Sequence, residues 1–130
     1  MSCRAAATYA KQLLDERNNV GLIWLAPTAP ATGRDAEKLV SIVSEVLKEF
    51  NLESAISMTV LTPTAIECVV SLIYDRRSDS ADLQAEHCHN VLISRLIDNG
   101  YLTYRFNSFQ HRDYVKYYSS NLKSSIQEIK

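Results

Sequence analysis

The sequence predicts a single α+β domain. Three observations carry that prediction: alternation of short apolar runs with amphipathic runs, a proline-marked exit from the first apolar run, and one long helix with a continuous apolar stripe. At 130 residues the chain falls within the size of one domain and is long enough to bury a core. Hydrophobic residues make up 46% and charged residues 22%, which is ordinary globular composition.

Taken in order, residues 4–17 read as a helix, Ala-rich, with Leu13 and Leu14 near its end and Asn18-Asn19 as a stop. Gly21 to Ala26 reads as a short buried strand, because Leu22, Ile23, Trp24 and Leu25 are all apolar. Pro27 and Pro30 are expected to end it, since proline has no N–H for a sheet ladder. From Arg34 to Phe50, positions Ala36, Leu39, Val40, Ile42, Val43, Val46, Leu47 and Phe50 fall on one stripe at 100° per residue. Glu37, Lys38, Ser41, Ser44, Glu45, Lys48 and Glu49 take the other side.

Ser54 to Thr62 reads as a strand, and Thr62-Pro63-Thr64 as a turn. Ile66 to Asp75 is a second strand, rich in β-branched residues. The short separation predicts an antiparallel hairpin. Arg76 to Ser80 reads as a polar loop, with Asp79 or Ser80 placed to cap a helix from Ala81 to Asn99. The inner stripe of that helix is Ala81, Ala85, Cys88, Leu92 and Leu96, and Gly100 ends it. Tyr101 to Phe106 is a last strand. Val115, Tyr118, Leu122, Ile126 and Ile129 mark a final amphipathic helix.

The core order is therefore β-α-β-β-α-β. Two right-handed split βαβ crossovers put both helices on one face of a four-stranded antiparallel sheet, a ferredoxin-like arrangement with an extra helix at each end. One face of such a sheet is left open, so self-association or a partner on that face is expected.

Composition also excludes function classes. The net charge is −1 and basic residues are spread along the chain, so no phosphate-tracking surface is expected. No apolar run approaches the roughly 20 residues that span a bilayer. Residues 1–19 lack a signal-type apolar run. Three cysteines without repeating spacing read as reduced thiols, and a cytoplasmic setting is expected.

Three glycines, Gly21, Gly33 and Gly100, are too far apart to cradle a pyrophosphate, so the chain alone is expected to bind no dinucleotide tightly. His87-Cys88-His89 has metal-ligand composition, but on a helix the two histidines point about 200° apart. A buried thiol between two surface histidines is expected there, and no metal. Asp75-Arg76-Arg77 could pair charges or hold an anion, and a solvated loop is the plainer reading. Tyr114 and Tyr117 on the last helix are candidate interface residues. YLTYRFNSFQHRD, Tyr101 to Asp113, concentrates Tyr104, Arg105, Asn107, Phe109 and His111 where a strand ends, a common pocket-lining position.

Three segments carry a resemblance: GLIWLAPTAPATG, SLIYDRR ahead of a helix, and NGYLTYRFN. In this order and spacing, over roughly residues 20–125, they resemble the C-terminal cap domain of FAD-linked oxidases of the vanillyl-alcohol oxidase and 4-cresol dehydrogenase type. The resemblance implies residues 1–19 as a helical extension and residues 20–130 as the cap-like domain. It implies a cap over the flavin ring that helps form a pocket for a para-substituted phenol.

In the family the segment matching YRFN lies near the flavin, which some members bind covalently through His or Tyr. Asn107 stands where a histidyl tether is expected, and an amide cannot form that bond. Tyr104 is the nearby phenol that could, and Phe109 could line the substrate pocket. The family's preceding FAD-binding domain and closing segment have no counterpart in these 130 residues. FAD is therefore expected only with a partner FAD-binding domain, and the isolated chain is expected to be inactive. The alternative is a non-enzymatic ferredoxin-like module for a small ligand or a protein partner. A metal-dependent enzyme is a third reading, resting only on the His87-Cys88-His89 run.

Overall fold

The computed structural model describes residues 19–53, 55–105 and 115–117. Within them the chain runs β1 (Val20–Leu25), β2 (Pro27–Pro30), α1 (Gly33–Glu49), β3 (Ala55–Thr62), β4 (Ala65–Asp75), α2 (Ala81–Asp98) and β5 (Leu102–Thr103). A short 3-10 turn follows at Val115–Tyr117. The expected helix over residues 4–17, the remainder of the expected final helix and the end of the expected last strand at Phe106 lie outside the described residues.

β4 is the central strand. β3 pairs antiparallel with it on one side, and β1 and β2 pair antiparallel with it on the other. β5 pairs antiparallel with β2 and completes the sheet. The strand that α1 joins to β3 is thus separated from β3 by β4, which is the split βαβ connection the element order implied.

The prolines do not end the first strand. Leu25 lies opposite Val70 and Thr28 opposite Glu67, so β1 and β2 share one uninterrupted register along β4. Alternate residues of a strand send their backbone groups to opposite neighbours. Ala26 accepts from the Tyr104 N–H on the β5 side, so Pro27 faces β4. Its missing N–H removes one rung there and splits one long strand into two. Pro30 has the parity of Ala26 and Thr28 and lies past the paired end of β5, where no partner needs its N–H. Next to it, the Ala31 N–H resumes bonding across the sheet to Thr64 O, 3.0 Å.

Both helices are held by their caps as well as their stripes. Thr32 caps α1, its Oγ1 accepting from the Asp35 N–H at 3.1 Å. At the other end the Asn51 N–H donates to Lys48 O and the Leu52 N–H to Leu47 O, a Schellman closure with Asn51 at φ 55°. α2 closes the same way: the Gly100 N–H reaches Ile97 O and the Tyr101 N–H reaches Leu96 O, with Gly100 at φ 84°. Ser80 precedes α2 without a side-chain cap bond; its carbonyl accepts from the Gln84 N–H.

The core lies between the helices and one sheet face. Leu39, Val43, Val46 and Leu47 of α1 and Cys88, Leu92, Ile93 and Leu96 of α2 meet Leu25, Ile66, Cys68, Val70 and Leu72 of the sheet. Each fully buried Leu or Ile contributes on the order of 1.5–3 kcal/mol of transfer free energy, an upper value against a compact unfolded chain. The stripe of α1 is narrower than its periodicity implied, because Val40 sits at its rim and is exposed.

Candidate interaction face of the sheet

Strand alternation sorts the sheet into two faces. Gly21, Ile23, Leu25 and Ala29 point to the helices with Ile66, Cys68, Val70 and Leu72. The other face has no helix of the described residues on it. Its rows are read from the register: Leu22 beside Ile73, Trp24 beside Ser71 and Ala55, and Thr28 beside Glu67 and Thr59. Leu22, Trp24 and Ile73 are 52%, 65% and 53% exposed, a cluster of large apolar side chains turned to solvent.

Tyr104 joins this face. The pairs Thr28–Leu102 and Pro27–Thr103 place it opposite Ala26, and its N–H donates to Ala26 O at 3.3 Å. Its ring is half exposed, and the Arg105 guanidinium lies over it, 5.1 Å from the centroid. Thr103 turns the other way and is buried; its hydroxyl lies 3.0 Å from Ala26 O and 2.9 Å from Arg105 O, holding the strand end in place. Of the residues singled out beforehand, Tyr104 is thus placed on the open face. Asn107 and Phe109 lie outside the described residues, as do His111 and Tyr114.

Glu67 is the residue that sequence reading missed. It lies in the middle of β4, only 9% exposed, and its Oε1 accepts no hydrogen bond. By register it shares the open face with Thr28 and Thr59. The Thr28 hydroxyl donates elsewhere, to Leu102 O at 3.0 Å. The one available signal was a lone acidic residue inside the apolar run AIECVVSLIYD.

The remaining chemistry-bearing groups are engaged structurally. Asp35 accepts from Thr32 and from the Tyr101 hydroxyl, and these bonds, that of Thr32 foremost, hold its carboxyl below its usual range. Asp82 accepts from the Tyr74 hydroxyl at 2.7 Å and from Arg76 at 3.1 Å, with the same consequence. Arg77 pairs with Asp75 and lowers it to about 2. The Asp75-Arg76-Arg77 run is therefore a set of exposed ion pairs, with both arginines bound to carboxylates.

The His87-Cys88-His89 run departs from expectation in one respect. His87 is exposed and its ring meets Phe50 edge to face at 5.3 Å, but His89 is buried, not at the surface. A second histidine two residues along enters the core because α2 buries a wide arc, with Ala85, Cys88, His89, Leu92, Ile93 and Leu96 all inside. Desolvation lowers the His89 pKa. Among the described residues no cluster of His, Cys, Asp and Glu could hold a metal ion.

Cys68 and Cys88 are buried thiols, each pushed up to about 11, desolvation foremost, which disfavours the thiolate. A cavity of about 590 Å³ lies between the end of α1 and the start of α2, lined by Phe50, Leu52, Tyr74, Asp75 and Gln84. Tyr104 does not line it. No helix of the described residues is long and apolar enough to cross a membrane.

Most of the chain is similar to parts of larger proteins. No family model matches the chain. The 1'-carboxy-chondrochloren decarboxylase of Chondromyces crocatus is 35% identical over 102 residues, covering 78% of this chain and 19% of that protein. The 4-cresol dehydrogenase [hydroxylating] flavoprotein subunit of Pseudomonas putida is 29% identical over 101 residues, covering 77% and 19%. Substrate-bound p-cresol methylhydroxylase superposes with a TM-score of 0.74 at 25% identity, over 84% of this chain and 21% of that one. The 4-ethylphenol oxidase of Gulosibacter chungangensis, in its isoeugenol complex, shares the fold at a TM-score of 0.73 and 18% identity, over 85% and 21%. The chain spans about a fifth of the length of the relatives it matches.

Proposed function

We propose, from the premise that this chain is a partial relative of the flavoprotein oxidoreductases typified by 4-cresol dehydrogenase, that it serves as their substrate-enclosing cap. The observation that carries the reading is a match in sequence to about a fifth of a 4-cresol dehydrogenase flavoprotein subunit together with a match in fold to about a fifth of p-cresol methylhydroxylase. The substrate class that follows is a para-substituted phenol, and the flavin-binding part lies outside these 130 residues.

The expectation that this chain binds no flavin nucleotide by itself is supported by its glycines. Gly21 has no room for a phosphate, since the Tyr74 ring fills the space where its Cβ would stand, and Gly33 and Gly100 are isolated from it. A flavin bound by the partner would supply the hydride acceptor for the benzylic carbon. This chain's share is enclosure and orientation: an apolar sheet face to exclude water, with Tyr104 toward the cofactor. Asn107 is assigned to the cofactor side as well, and Phe109 to the substrate wall. Relatives of this same stretch are named for a decarboxylation and for a dehydrogenation. That supports placing the choice of reaction in the rest of the molecule.

The test is purification of the chain alone and together with the flavin-binding chain of its genetic neighbourhood. Alone it is expected to be colourless and inactive toward 4-alkylphenols; together, yellow and active. A chain that purifies alone with stoichiometric flavin absorbance sinks the reading. If Tyr104 tethers the flavin, acid precipitation of the complex retains flavin with the protein, and Tyr104→Phe releases it.

The second reading is a non-enzymatic module whose open face binds a protein partner. The exposed Leu22, Trp24 and Ile73 favour it equally, and a neighbourhood without any flavin-binding chain selects it.

A further inference from the structure

The outer edge of β3 is the sheet's unguarded side. β3 pairs with β4 alone among the described residues. Its sequence, AISMTVLT, holds no charge and no proline. Edge strands are ordinarily kept from pairing by such residues, by shortness or by bulges. Here the strand is eight residues long, and its one register shift falls past Val60.

The ladder shows which backbone groups that edge offers. Ala26 bonds toward β5, so Ala29, of opposite parity, turns its groups to β4, where it lies opposite Ile66. Ile66, Cys68 and Val70 therefore bond toward β1 and β2, and Glu67, Val69 and Ser71 bond toward β3. Their partners are Thr59, Ser57 and Ala55. The N–H and C=O groups of Ile56, Met58 and Val60 are left pointing outward. The side chains of these same three residues lie on the helix side of the sheet, beside Val70, Cys68 and Ile66. Ile56 packs against the core, while Met58 and Val60 are 40% and 72% exposed.

We propose that β3 pairs antiparallel with β3 of a second copy of this chain, about a two-fold axis at Met58. What points to a second copy is that the strand complements itself. The axis sets Met58 opposite Met58 and Ile56 opposite Val60, so the outward backbone groups meet as hydrogen-bonded pairs. On the helix side every cross-strand neighbour is then apolar, and the row continues the core of each copy. On the other face Ser57 meets Thr59, hydroxyl opposite hydroxyl. With a net charge of −1, two copies repel each other little. The interface is isologous, uses up the open edge of both β3 strands and closes the assembly at two. The pairing is independent of the cap reading, because it uses the sheet's edge and leaves its open face free.

Sedimentation velocity of the full chain tests the pairing, with thermal melts alongside. The wild type is expected to be a dimer. Met58→Pro removes an outward N–H that the β4 ladder does not use, so the fold is retained while the central rungs are lost. Val60→Lys puts a charge into the apolar row at a solvent-facing position. Each is expected to weaken the dimer by at least about tenfold. Val60→Lys, at so exposed a position, is expected to melt as a folded chain, which keeps the test sound should Met58→Pro fail to fold. Leu83→Ser, on the exposed side of α2, leaves the dimer intact. A monomer at concentrations up to about 100 μM overturns the proposal. So does a dimer indifferent to Val60→Lys, or one that Trp24→Glu dissolves, which moves the interface to the open face. A monomer whose Ile56, Met58 and Val60 amides resist exchange assigns the edge to another segment of the same chain and likewise overturns it.

Discussion

Gly21 and Tyr74 are cross-strand partners, and the Tyr74 ring lies where a side chain at Gly21 would be. That placement lets the Tyr74 hydroxyl reach Asp82 at the start of α2. Gly21→Ala is expected to displace the ring and cost about 1–3 kcal/mol, as overpacking does, in a denaturant titration. Loss of the Tyr74–Asp82 bond should accompany it.

His89 gives a pH signature at the same scale. Burial disfavours its cation, so its folded pKa lies below the ordinary histidine value of 6.5. The unfolded chain then binds the extra proton first, and stability should fall as pH drops below about 6.5. His89→Leu is expected to flatten that slope in thermal melts between neutral and mildly acidic pH. The raised thiols work in the opposite range: Cys68 and Cys88 ionise first in the unfolded chain, and stability declines as pH rises from 9 toward 11. The position of α2 was legible from its stripe, but the burial of His89 was not. Periodicity located the helix axis; the width of the buried arc depends on how closely α1 and the sheet approach.

At the scale of elements, the two helices were the most legible parts. An amphipathic stripe and a terminator are local signals, and both helices end within a residue of the position those signals marked. Gly100 is the terminator that uses positive φ, with no side chain to strain it. Gly100→Ala is expected to cost about 1–2 kcal/mol and fray the last turn of α2, seen as faster amide exchange at Gly100 and Tyr101. Pro27 was misleading for an equally physical reason. Its missing N–H was evident, but whether that N–H was needed depended on which neighbour it faced. The β4 ladder tolerates one absent rung because the rungs on both sides hold the register. The last strand is shorter than its Tyr101–Phe106 pattern implied, since β5 pairs with β2 over only two residues.

Across the whole molecule, the sheet has one face built into the core and one that presents Trp24, Leu22, Ile73 and Tyr104 to solvent. Trp24 is the only tryptophan, so its emission reports that face alone. In the free chain it should be that of a hydrated indole, and it should shift to the blue when the face is covered. Trp24→Thr should leave stability within about 0.5 kcal/mol, as a solvent-facing strand substitution does. A larger loss would mean that the face is already covered within the chain.

The sequence by itself determined the α+β class, the two helices and their stripes, the Thr62–Thr64 turn and the likeness to a flavoprotein cap. All of these rest on neighbours a few residues apart, or on segments in a fixed order. Only the tertiary structure decided that one strand runs through two prolines, that Tyr74 needs the space at Gly21, and that Glu67 lies buried with an unbonded oxygen on the open face. Each of those depends on what stands across the sheet, between residues up to some 50 positions apart in the chain. No local pattern encodes those pairings, because backbone donors and side-chain volumes meet only once β4 is inserted between its neighbours.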